Sequence, residues 1–415
     1  MRSKVDVTTI TSSFLIIGTF CHSYSMTSSH WKILSAWSKA GIGTNVVLEL
    51  LPLSAVGPGR KKMKSLPRIA FDMGATPCFD DAIPAKYVFL SHGHIDHVGA
   101  VFSHARAHSV SCGGEAPTYF VPADLVPHLE QCREAMISLD ASQMHNSNGG
   151  RKESLIQVNF ISVKPGDEFI LKGIHSGSKT SFFMRAFQVD HCGHPALGYV
   201  IGSRTTSGLK EEYQSLDNAT LRELAMSGVV LQSDPIEKIE VAYTGDTCAN
   251  GLKLDQMRPL SGDASEKSVL YKQQLFQAEV ILCELTYLDS SEEEEGRRRA
   301  AERGHLHICE LERLFMSNES NDDTRFDGPV ESVSTCVLDR QTKHIVFYHL
   351  SGRCGPATRA LDMIADGIPR QLHRRCQVAV SSLLTSDEKH SLGRLIQPNG
   401  CVSLMAYLAW RGRPK

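Results

Sequence analysis

The chain has 415 residues, 41% hydrophobic and 22% charged, an ordinary globular composition with ample length for a large core. Its formal net charge of −2 gives no global basic field, so a nucleic acid would have to be held by local patches. Twelve cysteines without a C-x-x-C pair exclude a disulfide scaffold and suit reduced thiols, and no apolar run reaches the roughly 18 residues needed to span a membrane.

The N-terminus, MRSKVDVTTITSSFLIIGTFCHSYS, has a basic start, a short apolar core at Phe14–Cys21, many hydroxyl residues and one acid, Asp6. A transit peptide has this composition; a secretory signal or a plain extension shares it. We read residues 1–32 as an N-terminal extension. From about Ile33 the pattern becomes strand-like. Asn45–Leu53 and Arg68–Gly74 are apolar runs ending in turn residues, with a basic loop, Gly59–Lys64, between them. Lys86–Leu90 is a short β-rich run that stops at a histidine cluster. Pro122–Asp140 has apolar residues at helical spacing, as does Ala219–Val229, with Gly228 as its stop. Lys238–Asp246, Ala278–Leu285 and His344–Arg353 are continuous apolar strands of the fully buried kind, each ending in polar residues. Between the last two, Glu292–Glu295 and Arg297–Arg299 read as a solvated helix or loop. Strands alternating with helices predict an α/β layered domain. We assign it residues 33–365 and read 366–415 as a C-terminal extension.

The organising feature is where the polar residues fall. His92 follows strand Lys86–Leu90, Asp246 follows Ile239–Tyr243, Glu284 ends Val280–Cys283, and His349 follows Ile345–Tyr348. Strands of one sheet would deliver all four groups to one edge. LSHGHIDHVGA, residues 90–100, packs His92, His94, Asp96 and His97 into six positions. Histidine and carboxylate suit zinc, iron or manganese. His92 and His94 lie two apart on an extended segment and point the same way; Asp96 and His97 come after a turn and can face a second ion. Two ions need more ligands, one of them bridging, and His191, Asp246 and His349 are the candidates. His194 is the alternative to His191. Two ions about 3.5–4 Å apart would clamp the attacking and leaving oxygens of a displacement at phosphorus.

The H-x-H-x-D-H arrangement resembles the metallo-β-lactamase superfamily, and within it the short form of the tRNase Z family of tRNA 3′-processing endonucleases. The resemblance runs through AFDMGATPC (Ala70–Cys78), YTGDT (Tyr243–Thr247), CELTYLD (Cys283–Asp289), RGHLHICEL (Arg303–Leu311) and YHLSGR (Tyr348–Arg353), and covers roughly Leu34 to Gly355. It implies an αββα sandwich with an inserted substrate arm, placed at Ser203–Asp234. It implies two zinc ions, with manganese or ferrous iron as substitutes: His92, His94 and His191 on one, Asp96, His97 and His349 on the other, Asp246 bridging. It gives Asp96 the attacking water and makes Glu284 and His305 the pair that passes a proton to the leaving 3′ oxygen. His307 is the rival of His305. The partner implied is precursor tRNA, met by Lys210 and Arg222 on the arm and by Arg353; a homodimer is compatible. The implied place is the cytoplasm or nucleus, or a mitochondrion or plastid if the N-terminus is a transit peptide.

This chain departs from the family's pattern in several places. Arg353 precedes Cys354 where tyrosine is usual, an extra residue separates His191 from Pro195, and the basic P-x-K-x-R-N loop is not recognisable. The arm balances Arg204, Lys210 and Arg222 against Glu211, Glu212 and Glu223. The alternative readings are another hydrolase of this fold, acting on a thioester, lactone or cyclic nucleotide, and a non-catalytic RNA-binding homologue.

Overall fold

The computed structural model describes residues 26–52, 66–141, 154–176, 179–206, 208–253, 263–289, 293–316, 338 and 340–412. The expected targeting segment and the basic loop Gly59–Lys64 lie outside them. One sheet holds β1 (Trp31–Lys39), β2 (Gly43–Leu50), β3 (Arg68–Phe71), β4 (Ala85–Phe89), β5 (Thr118–Pro122) and β6 (Asn159–Val163), side by side in chain order. The other holds β7 (Glu168–Ser176), β8 (Thr180–Gln188), β9 (Leu197–Thr205), β10 (Ile236–Tyr243), β11 (Val280–Glu284), β12 (His344–Tyr348), β13 (Cys376–Ala379) and β14 (Cys401–Ser403), again in chain order. β3–β6 are parallel, as are β10–β13.

Alternation along the strands builds the layers. Val241 and Tyr243 of β10 enter the same apolar cluster as Phe71 and Phe89 of the first sheet, whereas Ala242 faces the other way. Between the sheets Phe71, Tyr243 and Tyr348 stack, with centroids 4.6 and 5.1 Å apart. The outer face of the first sheet packs Val47, Val88 and Tyr119 against Val101, Ala105 and Leu129 of the helices Val101–Ser111 and Val126–Ala141. The outer face of the second packs Ile281 and Phe347 against Leu275, Leu361 and Tyr407 of the helices Asp263–Leu275, Ala357–Gly367 and Leu404–Arg411. Three apolar layers between four layers of structure make the αββα sandwich. Among the described residues no helix is long and apolar enough to cross a membrane.

Three expected boundaries shift. Residues 366–412 are no appendage: β13 and β14 extend the second sheet, and Glu388 accepts from the Ala357 and Thr358 amides at the start of the helix Ala357–Gly367. These strands are four and three residues long, too short to show as runs. Ser203–Thr205 finish β9, paired with Ile236–Lys238, and Arg204 is bound by Glu168 and Glu237. The excursion therefore begins after Thr205. It carries the helix Asn218–Met226, capped by Asp217, and none of its described residues is buried.

The N-terminal boundary moves to Met26. Glu240 is fully buried and its partners are Ser28 Oγ at 2.8 Å, the His30 amide at 2.8 Å and His30 Nδ1 at 2.6 Å. Removing those partners leaves a carboxylate stranded in the interior. A chain starting at Trp31 should be about 3–5 kcal/mol less stable than one starting at Met26. Equal denaturant midpoints for the two would refute this account of Glu240.

Candidate metal centre

Polar side chains converge where the parallel strands end. Asp72 follows β3, Ser91 and His92 follow β4, Asp246 follows β10, Glu284 closes β11 and His349 follows β12. His191 follows β8, and Asp96 and His97 sit on the single turn Ile95–Val98. Gly74 lets that turn press against β2: a Cβ there would lie 1.9 Å from the Asp96 carbonyl oxygen. Among the described residues, the three non-glycine residues with left-handed φ are Asp72, Cys192 and His349, all in or beside this site, where backbone strain concentrates.

Four of the five histidines are oriented from behind. Asp72 Oδ2 accepts from His97 Nδ1 at 2.7 Å and from Ser91 Oγ at 2.8 Å. Having donated to Asp72, the Ser91 hydroxyl is left to accept from His92 Nδ1, 3.0 Å away. His191 Nδ1 donates to the Gly304 carbonyl at 2.8 Å. Gly304 has φ +71°, and a Cβ on it would lie 2.6 Å from that nitrogen. Thr286 Oγ1 donates to Glu284 Oε2 at 2.8 Å and accepts from His349 Nδ1 at 3.0 Å. His92, His97, His191 and His349 thus turn their Nε2 atoms inward, the nitrogens a metal would take as unprotonated donors.

The inward atoms crowd together. His97 Nε2 and His349 Nε2 lie 3.4 Å apart and stand 3.2 and 3.3 Å from Asp246 Oδ2. His349 Nε2 is 3.4 Å from Asp96 Oδ2, and His191 Nε2 is 3.2 Å from His94 Nδ1. Donors about 2.0–2.2 Å from one tetrahedral ion stand roughly 3.3–3.6 Å apart, so these separations fit a shared cation. His92 Nε2 and Asp246 Oδ1 are buried without a hydrogen-bond partner. Five imidazoles and two carboxylates, some of them orphaned, fit borderline divalent metals. Several groups of three ligand atoms lie within 4.8 Å of one another, among them the triads His92–His94–His191 and Asp96–His97–His349, with Asp246 grouped with His92 and His97. Each triad takes ligands from both sheets.

Electrostatics follow the packing. Burial, with His97 beside it, drives the His92 ring well below the ordinary histidine range. Burial also acts on His97, but Asp246 and Asp72 hold its ring well above that range. Burial works against charge on Asp246, yet His349 and His97 keep its carboxyl well below the ordinary aspartate range. Asp96, which also accepts from the Gly41 amide at 2.7 Å, is lowered to about 2 despite burial, mainly by His349 and His97. His305 is desolvated, but Glu284 and Asp246, 3.5 and 3.9 Å from its Nδ1, raise it.

The structure brings together all seven expected ligands with Glu284 and His305. By distance His305 could itself join a ligand group with His191 and Asp246. His194 is exposed, 5.0 Å from the His94 ring by centroids, while His191 is buried beside it. His307 accepts from the Cys309 amide and bonds the Asp289 carbonyl, a capping role. Lys210, Arg222 and Arg353 are half-buried or exposed and bond none of the cluster's residues. Arg353 lies on the turn Gly352–Cys354 just beyond His349. Sequence reasoning assigned no role to Asp72, Ser91, Thr286 or Gly304. The D-x-G and E-L-T segments contain two of them, but their partners come from other strands. Asp72→Asn should loosen His97 and, through Ser91, His92, weakening metal affinity by about 10–100-fold. A competitive zinc titration reads this, and unchanged affinity would relieve Asp72 of the role.

A search of protein-family models finds no match for the chain. It is 30% identical over 244 residues to a tRNase Z of Arabidopsis thaliana, spanning 59% of this chain and 72% of that protein. It is 27% identical over 280 residues to a chloroplastic tRNase Z of the same plant, spanning 66% of this chain and 67% of that protein. A crystal structure of the human tRNase Z short form is 14% identical, with a TM-score of 0.37, covering 78% of this chain and 92% of the human one.

Proposed function

The chain belongs to the tRNase Z family, and from that premise we propose that it is a zinc-dependent endoribonuclease that cuts the 3′ trailer from precursor tRNA. The observation that carries this reading is the pair of ligand triads meeting at Asp246, with Glu284 and His305 alongside. In it, His92, His94 and His191 would hold one ion and Asp96, His97 and His349 the other, with Asp246 a ligand to both. When bound, such ions lower the pKa of a water and offset charge on the scissile phosphate. Asp96, pinned by the Gly41 amide, orients the attacking water. His305 gives a proton to the departing ribose oxygen, and Glu284 holds its ring. Glu284 is itself held by the Leu306 amide at 2.6 Å and by Thr286. Arg353, Lys210 and Arg222 contact the tRNA backbone. Beyond Thr205 the arm has two bases against Glu211, Glu212, Asp217, Glu223 and Asp234, so it offers point contacts rather than a basic surface.

The test is to incubate purified protein with a precursor tRNA bearing a 3′ trailer and map the products. One cut is expected at the start of the trailer, leaving a 3′ hydroxyl on the tRNA; a chelator should abolish it and zinc restore it. Metal-loaded protein that leaves this substrate intact but opens a thioester, a lactone or a cyclic nucleotide would overturn the reading.

A further inference from the structure

A cleft of about 270 Å³ opens beside His305, walled by the turn Ala249–Lys253 and the helices Glu293–Glu302 and Leu311–Phe315. Four cations line it, Lys253, Arg297, Arg298 and Arg313, against two acids, Glu294 and Glu310, in a chain whose net charge is −2. The four differ. Arg298 is occupied by Glu295 and Glu302, and Arg297 stands 3.7 and 3.8 Å from Glu293 and Glu310. Among the described residues Lys253 meets only the neutral Asn250 Oδ1, at 3.1 Å. The Arg313 guanidinium has no hydrogen bond or ion pair among the described residues. Lys253 and Arg313 thus line one cleft with no carboxylate within ion-pair distance of either among the described residues.

We propose that this cleft binds the nucleotide whose 3′ oxygen departs, with Lys253 and Arg313 taking that nucleotide's own 5′ phosphate. The inference rests on the proposed function, since it is His305, both a wall of the cleft and the donor to that oxygen, that fixes which side of the cut enters. The volume lies just under the roughly 300–1,000 Å³ of small-molecule sites, so it admits a single nucleotide and excludes a duplex. A lysine and an arginine from separate walls supply charge-assisted contacts to a phosphate, and such contacts position a nucleic acid without reading its sequence.

Lys253→Ala, Arg313→Ala and the double variant test it in the zinc-loaded full chain. The rates to compare are kcat/KM for precursor tRNA and for bis(p-nitrophenyl) phosphate, which lacks the upstream nucleotide. Each single variant should lose about tenfold more on the tRNA than on the small ester. Each should also make the salt dependence on tRNA shallower by about one unit of log–log slope. Adenosine 5′-monophosphate should inhibit hydrolysis of the small ester better than adenosine does, and the double variant should lose that preference. Wild-type tRNA kinetics in the double variant would overturn the proposal, as would equal losses on the two substrates. A monophosphate preference that survives in the double variant would place the phosphate on the metal ions and also overturn it. A wild-type enzyme that fails to cut precursor tRNA but shows a preference abolished by the variants would sink the proposed function and leave the phosphate site standing.

Discussion

Asp246→Ala is expected to empty both ligand triads, taking bound zinc from about two ions per chain to below one and turnover down by about 10³-fold or more. Asp246 Oδ2 faces His97, His349 and His92 at 3.2, 3.3 and 3.9 Å, and Oδ1 is buried with no partner of its own. Among the described residues no other carboxylate stands so centrally. Asp96 lies near only His97 and His349, so Asp96→Ala should cost one ion and spare the other. Elemental analysis of the two variants, with circular dichroism to check folding, separates a bridge from a terminal ligand. An Asp246→Ala protein that keeps two ions and its rate would show the bridge to be misassigned.

His305→Ala is expected to keep its zinc while turnover on precursor tRNA falls by about 10²–10⁴-fold, the usual worth of a positioned acid. Burial disfavours a proton on this ring, but the Glu284 and Asp246 carboxylates outweigh it and raise the ring's affinity for one. Glu284→Gln should give a smaller loss of the same kind. The defect should shrink on a nitrophenyl ester, whose leaving group departs without protonation. His307→Ala should behave differently, since His307 caps a turn and its loss is one of stability. Loss of metal from His305→Ala would make the residue a ligand, and a rate defect in His307→Ala alone would move the proton donor two residues along.

The legible part of the fold was the part whose chemistry is local. β11, β12 and the Val241–Tyr243 end of β10 lie buried on both faces, so their sequences are apolar runs, and the ligands follow where those runs stop. β7 was missed because only Leu171, Ile174 and Ser176 of its nine residues are buried, too sparse a signal beside its glycine and charges. The ends of the domain were misjudged for a similar reason: β13, β14 and the segment before β1 gain their meaning from partners such as Glu240 and Gln377, far away in sequence. In the site, the atoms that face the metal positions come from motifs, and motifs are short. The atoms behind them do not. Asp72 meets His97 only because β3 and β4 pair in parallel, and the His191 ring is set by a carbonyl 113 residues downstream.

Because each sheet adds its strands in chain order, the first can be assembled on the ribosome before most of the second exists. His92, His94, Asp96 and His97 are then made about 250 residues ahead of His349, a lag of roughly 13–50 s at ordinary synthesis rates. Within that interval His191 follows about 100 residues on, but the Asp96–His97–His349 triad stays open until the end, so an ion captured there would be held by part of a site and free to exchange. The second sheet closes over it only when β12 joins β11. Commitment of the second ion is therefore a late event of synthesis, made when β12 pairs with β11 and brings His349 to the site.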